Sequence, residues 1–458
     1  MIAMTLGEVA SALRSSLVCG DPQAVIDAVV VDSRQASAGC LFLAVVGETH
    51  DGHDYVEQAL AAGAAAALVS RAVAGPHILV DDTVVAAGAL ARHLIDGHQQ
   101  LQVVALTGSS GKTSTKDMLR VMLAAFAPTV APQGSFNNEL GLPRTVFEVT
   151  EQTRYLVAEM GARGAGHVAY LCGIAPPDVS LFLNVGHAHL SEFGTQEGIA
   201  SAKGEILSAL GPAGVAVLNA DDSRVMGQAA RAPGRIVTFG QAAGADVRIT
   251  DLSLEAGKPV VTLRHGEDVA VVRLGVHGEH QALNLAAAVA TAVALDLDFR
   301  AATQALDGVR LDSRWRMEVD MTADGVTVIN DAYNANPEST AAGLRALAEM
   351  GRGATTWAVL GEMRELGDAA LTEHDAIGRL CVRLNISRLI AVGDGARPIH
   401  MGAAHEGSWG RESVFVPDVA AAIALLQAEV APGDFVLVKA SRAVGLELVA
   451  QALLGETS

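Results

Sequence analysis

The sequence predicts an α/β protein built as three units, and two observations carry that expectation. Short runs rich in Val, Ile, Leu and Ala alternate along the chain with longer helical stretches, the pattern of mostly parallel sheets covered by helices. The texture changes near residues 82 and 313, dividing the 458 residues into a small N-terminal α/β unit (1–81), a central mostly parallel unit (82–312) and a C-terminal Rossmann-like α/β unit (313–458).

Composition narrows the function classes. Half of the residues are hydrophobic but only 4% are aromatic, so the cores must be built from Ala, Val, Leu and Ile. The formal charge of -19, from 32 Lys+Arg against 51 Asp+Glu, repels nucleic acid and anionic membranes. The four cysteines are scattered, with no metal-ligand or redox spacing, which fits a reduced, cytoplasmic compartment. The N-terminus lacks a basic stretch before an apolar core, and no run of apolar residues is long enough to span a bilayer; a soluble chain without a signal peptide is expected.

In the first unit the pattern predicts a helix over 6–13, a strand over 28–31, a turn at Asp32-Ser33-Arg34 and a strand over 40–45. A helix near 56–62 and short strands at 66–69 and 77–80 follow. The central unit opens with a helix over 83–95 and a buried strand over 103–106, then a glycine-rich loop and a long amphipathic helix. Further strands are expected at 155–158, 179–184 and 215–219, and the alternation within 246–276 reads as a small antiparallel insertion on the sheet edge. In the third unit strands at 326–330, 357–360, 389–392 and 435–438 each end in polar residues. Ligands of open α/β sheets sit beyond those ends, so this unit should share in a site.

The loop between the strand over 103–106 and its helix reads Thr107-Gly108-Ser109-Ser110-Gly111-Lys112-Thr113-Ser114. It is a phosphate loop in the context one requires, and it makes the central unit ATPase-like. Its glycines let the backbone close on phosphate oxygens, Lys112 meets the β/γ-phosphates and the Thr113 hydroxyl can ligate Mg²⁺. Two residues separate its glycines instead of the usual four. Glu159 ends the next strand, and His189 follows the one after it. Alone, Glu159 reads slightly better as a solvated acid in a turn than as a Mg²⁺ ligand, and a lone histidine is more often structural; the convergence of strand ends favours metal.

These residues, with PQGSFNNELGLP at 132–143, EMGARGAGH at 159–167, NVGHAHLSEFGT at 184–195 and AKGEIL at 202–207, resemble the Mur ligases of peptidoglycan synthesis. SRWRMEV at 313–319, NDAYNANPEST at 330–340, LGEMRELG at 360–367 and VLVKASRAVGLE at 436–447 extend the likeness over nearly the whole chain. They place it closest to the members that add D-alanyl-D-alanine to UDP-N-acetylmuramoyl-tripeptide.

The resemblance implies an ATP-dependent amide ligase working through an acyl-phosphate, with two Mg²⁺ ions, and acting as a monomer. It implies that Thr113 and Glu159 hold the Mg²⁺ beside the ATP phosphates, that His189 helps hold the second ion, and that Lys203 is the family's carbamylated lysine. A lysine must be neutral to react with CO₂, so its pKa should be depressed; read alone, Lys203 is a surface lysine on a helix. For ATP the resemblance implies Gly108, Ser109, Ser110, Gly111, Lys112, Thr113 and Ser114 around the phosphates, with Asn284, Arg316 and Asp331. Gln281 stands where Asn is commoner, and an ion pair of Arg316 with Glu318 or Asp320 is an open structural reading.

The first unit is implied to bind the UDP end through Ser33 and Arg34. Asn137 and Asn138 would contact the muramoyl-peptide or its metal, and Asn334, Asn336 and Arg442 would surround the incoming dipeptide. A sister ligase adding a single amino acid lacks support, because no DNPR-type motif stands in the last unit. The remaining alternative is a nucleotide-binding scaffold without turnover.

Overall fold

The computed structural model describes residues 1–187, 190–407, 410 and 412–456. Three main sheets carry the chain. The first has five strands in the order Leu17–Val18, His77–Leu79, Ala66–Val69, Cys40–Leu43, Ala28–Val30, all parallel except the first pair. Along Cys40–Leu43 the side chains alternate between two cores: Leu41 and Leu43 enter the one shared by the helices Leu6–Ala12 and Thr83–Gly97, while Cys40 and Phe42 join the one beside the helix Val56–Ala61. That alternation is the two-residue period of a strand buried on both faces.

The central sheet has nine strands. Its parallel part runs Arg235–Gly240, Val215–Asn219, Val179–Phe182, Gln102–Thr107, Tyr155–Glu159, Thr129–Val130. Val247–Glu255, which joins Arg235–Gly240 in parallel, Lys258–His265 and Asp268–Arg273 extend its edge and pair with one another antiparallel, as the alternation in the sequence predicts. Val103 and Ala105 enter one core and Val104 and Leu106 the other, so the strand feeding the phosphate loop is held from both sides. Full burial of each of the three larger side chains, Val103, Val104 and Leu106, contributes about 1.5–3 kcal/mol of transfer free energy.

The C-terminal sheet has six strands in the order Glu318–Met321, Thr327–Asn330, Phe435–Lys439, Thr356–Leu360, Arg388–Val392, Ser413–Val416, antiparallel only in its first pair. Seven strands among the described residues have no counterpart in the sequence expectations: the two-residue pieces Met4–Thr5, Leu17–Val18, Val25–Ile26 and Thr129–Val130, and the longer Arg235–Gly240, Glu318–Met321 and Ser413–Val416. Glu318–Met321 is charged and largely open to solvent at a sheet edge, so no hydrophobic period marks it. The strand expected over 179–184 stops at Phe182, leaving Asn184 outside the ladder and free to turn beneath the phosphate loop. No helix among the described residues is long and apolar enough to cross a membrane.

Candidate active site

The strand Gln102–Thr107 ends under the loop, where the Thr107 hydroxyl donates to the Met160 carbonyl at 2.9 Å. Gly111 has φ 78°, and a Cβ there would lie 2.5 Å from Asn284 Oδ1, so the turn admits only glycine. The helix Lys112–Ala124 then begins with no side-chain cap, leaving its first N–H groups for an anion. Lys112 folds back to donate to the Gly108 carbonyl at 2.7 Å. Burial pushes its ammonium below the usual lysine range and Glu159 opposes that push.

Asn184 braces the loop. Its Oδ1 accepts from the backbone N–H of Ser109 at 3.0 Å and of Ser110 at 2.9 Å, and its Nδ2 donates to the Ser110 carbonyl at 3.1 Å. On the opposite flank the parallel register sets Glu159 beside Leu106. Glu159 is fully buried (0% exposed); Oε1 accepts from Asn137 Nδ2 at 2.8 Å, while Oε2 has no hydrogen-bond partner among the described residues. A buried carboxylate oxygen without a donor is costly unless something binds it.

Lys203 closes the helix Gln196–Lys203 and is likewise 0% exposed, not a surface lysine. Its Nζ has no partner among the described residues, and burial, then the charge of Lys112, push its ammonium well below the usual range. His189 lies outside the described residues.

The third sheet supplies the facing wall. Arg316 Nη2 donates to Thr113 Oγ1 at 3.2 Å, and its guanidinium lies 4.2 Å from the Tyr333 ring centre. It is therefore turned to the phosphate loop, while Glu318 accepts from the backbone N–H of Trp315. Tyr333 hydrogen-bonds Ser135 through its hydroxyl, and Asn336 Nδ2 donates to the Ser109 carbonyl at 3.3 Å. Asn336 also caps the helix Pro337–Met350, with Ser339 returning the capping box. Asp331 accepts from Lys439 Nζ and from the Met317 N–H at 3.2 Å, and Lys439 also donates to the Asn334 carbonyl at 3.0 Å. Burial lowers the Lys439 pKa and Asp331 opposes it.

Ser109, Ser110, Gly111, Lys112, Thr113, Asn137, Asn138, Glu159, Arg316, Asn334 and Asn336 thus line one cavity of about 220 Å³. Asn284 lies behind Gly111, held by Gln281 Oε1 at 2.9 Å, so the Gln281 departure keeps a partner for it. Arg442 does not line this cavity; it stacks 4.3 Å from the Trp315 ring centre and pairs with Glu447. Ser33 and Arg34 line a second cavity of about 850 Å³, which the central unit completes with Leu140 and Arg144. Residues 137–144 therefore run from one cavity to the other. Sequence reasoning assigned no role to Asn184, Tyr333 and Lys439, although each follows or ends a strand of a parallel sheet and stands within one of the motifs quoted above.

The sequence matches the description "Mur ligase family, catalytic domain" over residues 25–106, "Mur ligase middle domain" over 106–292 and "Mur ligase, glutamate ligase domain" over 315–442. It is 44% identical to the UDP-N-acetylmuramoyl-tripeptide–D-alanyl-D-alanine ligase of Mycobacterium tuberculosis, covering 100% of this chain and 98% of that protein. The fold matches a crystal structure of MurF from Acinetobacter baumannii with TM-score 0.90 and 32% identity over 99% of each chain. It matches MurF from Thermotoga maritima in complex with ADP with TM-score 0.81 and 30% identity, over 94% of this chain and 97% of that one.

Proposed function

The chain belongs to the Mur ligase family, and from that premise we propose that it joins D-alanyl-D-alanine to UDP-N-acetylmuramoyl-tripeptide in an ATP-dependent, ADP-forming amide ligation. The observation that carries the reading is the single cavity in which the phosphate loop, the buried Glu159 and the Arg316–Asn336 wall meet. We assign residues 1–81 to the UDP end of the substrate, 82–312 to ATP and 313–458 to the amine.

The peptide carboxylate attacks the γ-phosphorus of ATP, ADP leaves, the amine attacks the acyl-phosphate carbonyl and phosphate departs. The first step brings anions together, so fixed positive groups must carry much of the catalysis. Lys112, Arg316 and the uncapped helix start supply them. Asn137 and Asn138 lie where a peptide crossing from the Arg34 cavity would arrive. Asn334 and Asn336 line the amine side, and the bonds Tyr333–Ser135 and Asn336–Ser109 close the cavity against water that would hydrolyse the acyl-phosphate.

Glu159 Oε2, without a partner among the described residues, suits a Mg²⁺ ion shared with Thr113, and Lys203, buried without one among them and deprotonation-prone, suits carbamylation. Bound Mg²⁺, with His189 expected beside a second ion, would screen phosphate charge. Gly108, Ser114, Asn284 and Asp331 would shape the nucleotide pocket, with Ser33 and Arg34 holding the UDP end and Arg442 beside the dipeptide. One chain supplies both cavities, which supports action as a monomer, and ATP and UDP-linked substrates support a cytoplasmic setting.

The test measures phosphate release from Mg²⁺-ATP and UDP-N-acetylmuramoyl-tripeptide, with and without D-alanyl-D-alanine and with excess EDTA, following the pentapeptide by mass. Product only with dipeptide and metal supports the reading. Product with a single amino acid instead, or none with any amine, overturns it.

A further inference from the structure

The segment joining the second and third units lies along one face of the phosphate-loop helix. Thr113, Lys116, Asp117 and Arg120 share that face at helical spacing. Arg120 pairs with Asp312, Asp117 Oδ2 accepts from the Ser313 N–H at 3.1 Å, and Arg316 reaches Thr113 at 3.2 Å. Lys116 Nζ, paired with Asp117, also donates to the Pro132 carbonyl at 2.9 Å and to Ser313 Oγ at 3.4 Å. The contacts run in reverse order, so the segment travels back along the helix and delivers Arg316 to its N-terminal end.

Two further facts mark the arrangement as a clamp. The Lys116 and Asp117 side chains are only 2% and 1% exposed, an ion pair buried where apolar residues would pack at less cost. Trp315 and Met317, on either side of Arg316, have φ of 59° and 54°, a left-handed backbone that non-glycine residues keep only when their surroundings enforce it.

We propose that Lys116, Asp117 and Arg120 are positioning residues: they hold residues 312–317 in register on the phosphate-loop helix, so that Arg316 meets the ATP phosphates at Thr113. They act through Arg316 and touch no substrate. The inference rests on the ATP site of the proposed reaction, but not on which amine is joined.

The experiment titrates Mg²⁺-ATP into the full chain by calorimetry and records Tm alongside. Arg120 and Asp312 are partly exposed, so Arg120→Glu and Asp312→Arg should fold; each is expected to weaken ATP binding about 2–5-fold. The swapped pair Arg120→Glu/Asp312→Arg should return to within about 2-fold of the starting affinity. Asp117→Ala should weaken binding by roughly tenfold or more, and Asp117→Asn, which keeps an acceptor for Ser313, by less.

The deciding readout is non-additivity: in an Arg316→Ala background, Arg120→Glu should cause no further loss. A fall in Tm with ATP affinity unmoved, no recovery in the swap, or an additive loss without Arg316 would overturn the inference. Should Asp117→Ala fail to fold, the surface pair alone decides. Wild-type ATP binding without amide product would overturn the ligase reading and still leave the clamp testable.

Discussion

Glu338, at the start of the helix Pro337–Met350, reaches across to the central unit and accepts from the His187 backbone N–H at 2.8 Å, with the His187 ring Nδ1 2.6 Å from the same oxygen. Gly186 makes room, since a Cβ there would lie 2.6 Å from the carboxyl carbon. With Asn336–Ser109 and Tyr333–Ser135, this contact ties the third sheet to the loops around the phosphate site.

Loosening that clasp should let water in before the amine. Hydrogen bonds to a charged group are worth about 1.5–3 kcal/mol, so Glu338→Ala is expected to release several phosphates per amide formed. Parallel assays of phosphate and pentapeptide measure the ratio. A ratio that stays at one means the contact does not govern closure.

Lys203 offers a test in which stability and activity part. Its ammonium is buried without a partner among the described residues, so Lys203→Met should stabilise the protein by about 1–3 kcal/mol in CO₂-depleted buffer while abolishing ligation. Burial lowers the folded pKa below the unfolded 10.5, so between the two the unfolded chain binds the extra proton. Stability therefore rises with pH across that window and falls as pH drops through it. Lys203→Met should flatten this slope in denaturant titrations; equal slopes would contradict the assignment.

Asn184 should matter to ATP and little to anything else. Its Oδ1 serves two loop N–H groups, and losing them costs about 1–3 kcal/mol. Asn184→Ala is expected to raise the ATP KM by roughly tenfold or more while leaving the dipeptide KM within about twofold. A rise confined to the dipeptide would move Asn184 out of the nucleotide site.

Arg34 tests the second cavity. Its side chain is 83% exposed and, among the described residues, pairs only with Asp32 of its own turn, leaving it able to turn to a diphosphate. Arg34→Ala should raise the KM for the UDP-peptide about tenfold, or about 1.4 kcal/mol, with the ATP KM unchanged. Equal effects on both substrates would point to a folding defect.

The phosphate loop was legible because its chemistry is local: glycines, a lysine and a threonine at fixed offsets after a buried strand. Glu159 was legible only as one of two readings, since a strand-end acid looks the same whether buried or wet. Its complete burial follows from the parallel register with Gln102–Thr107, and Asn137 engages Oε1 while Oε2 has no partner among the described residues. Asn184 and Lys439 stood at strand ends without a role because their partners lie 74 and 108 residues away in the chain.

From the sequence alone came the three-unit α/β architecture, the antiparallel edge, the phosphate loop and the family likeness, because hydrophobic period and short motifs are written over neighbouring residues. Tertiary structure alone decided that Arg316 faces Thr113 and not its sequence neighbour Glu318, and that Lys203 is buried instead of solvated. It also set Arg442 against Trp315 and Glu447, away from the phosphate cavity. Those outcomes depend on how separate sheets dock, and contact across a docked surface leaves no period in the chain to read.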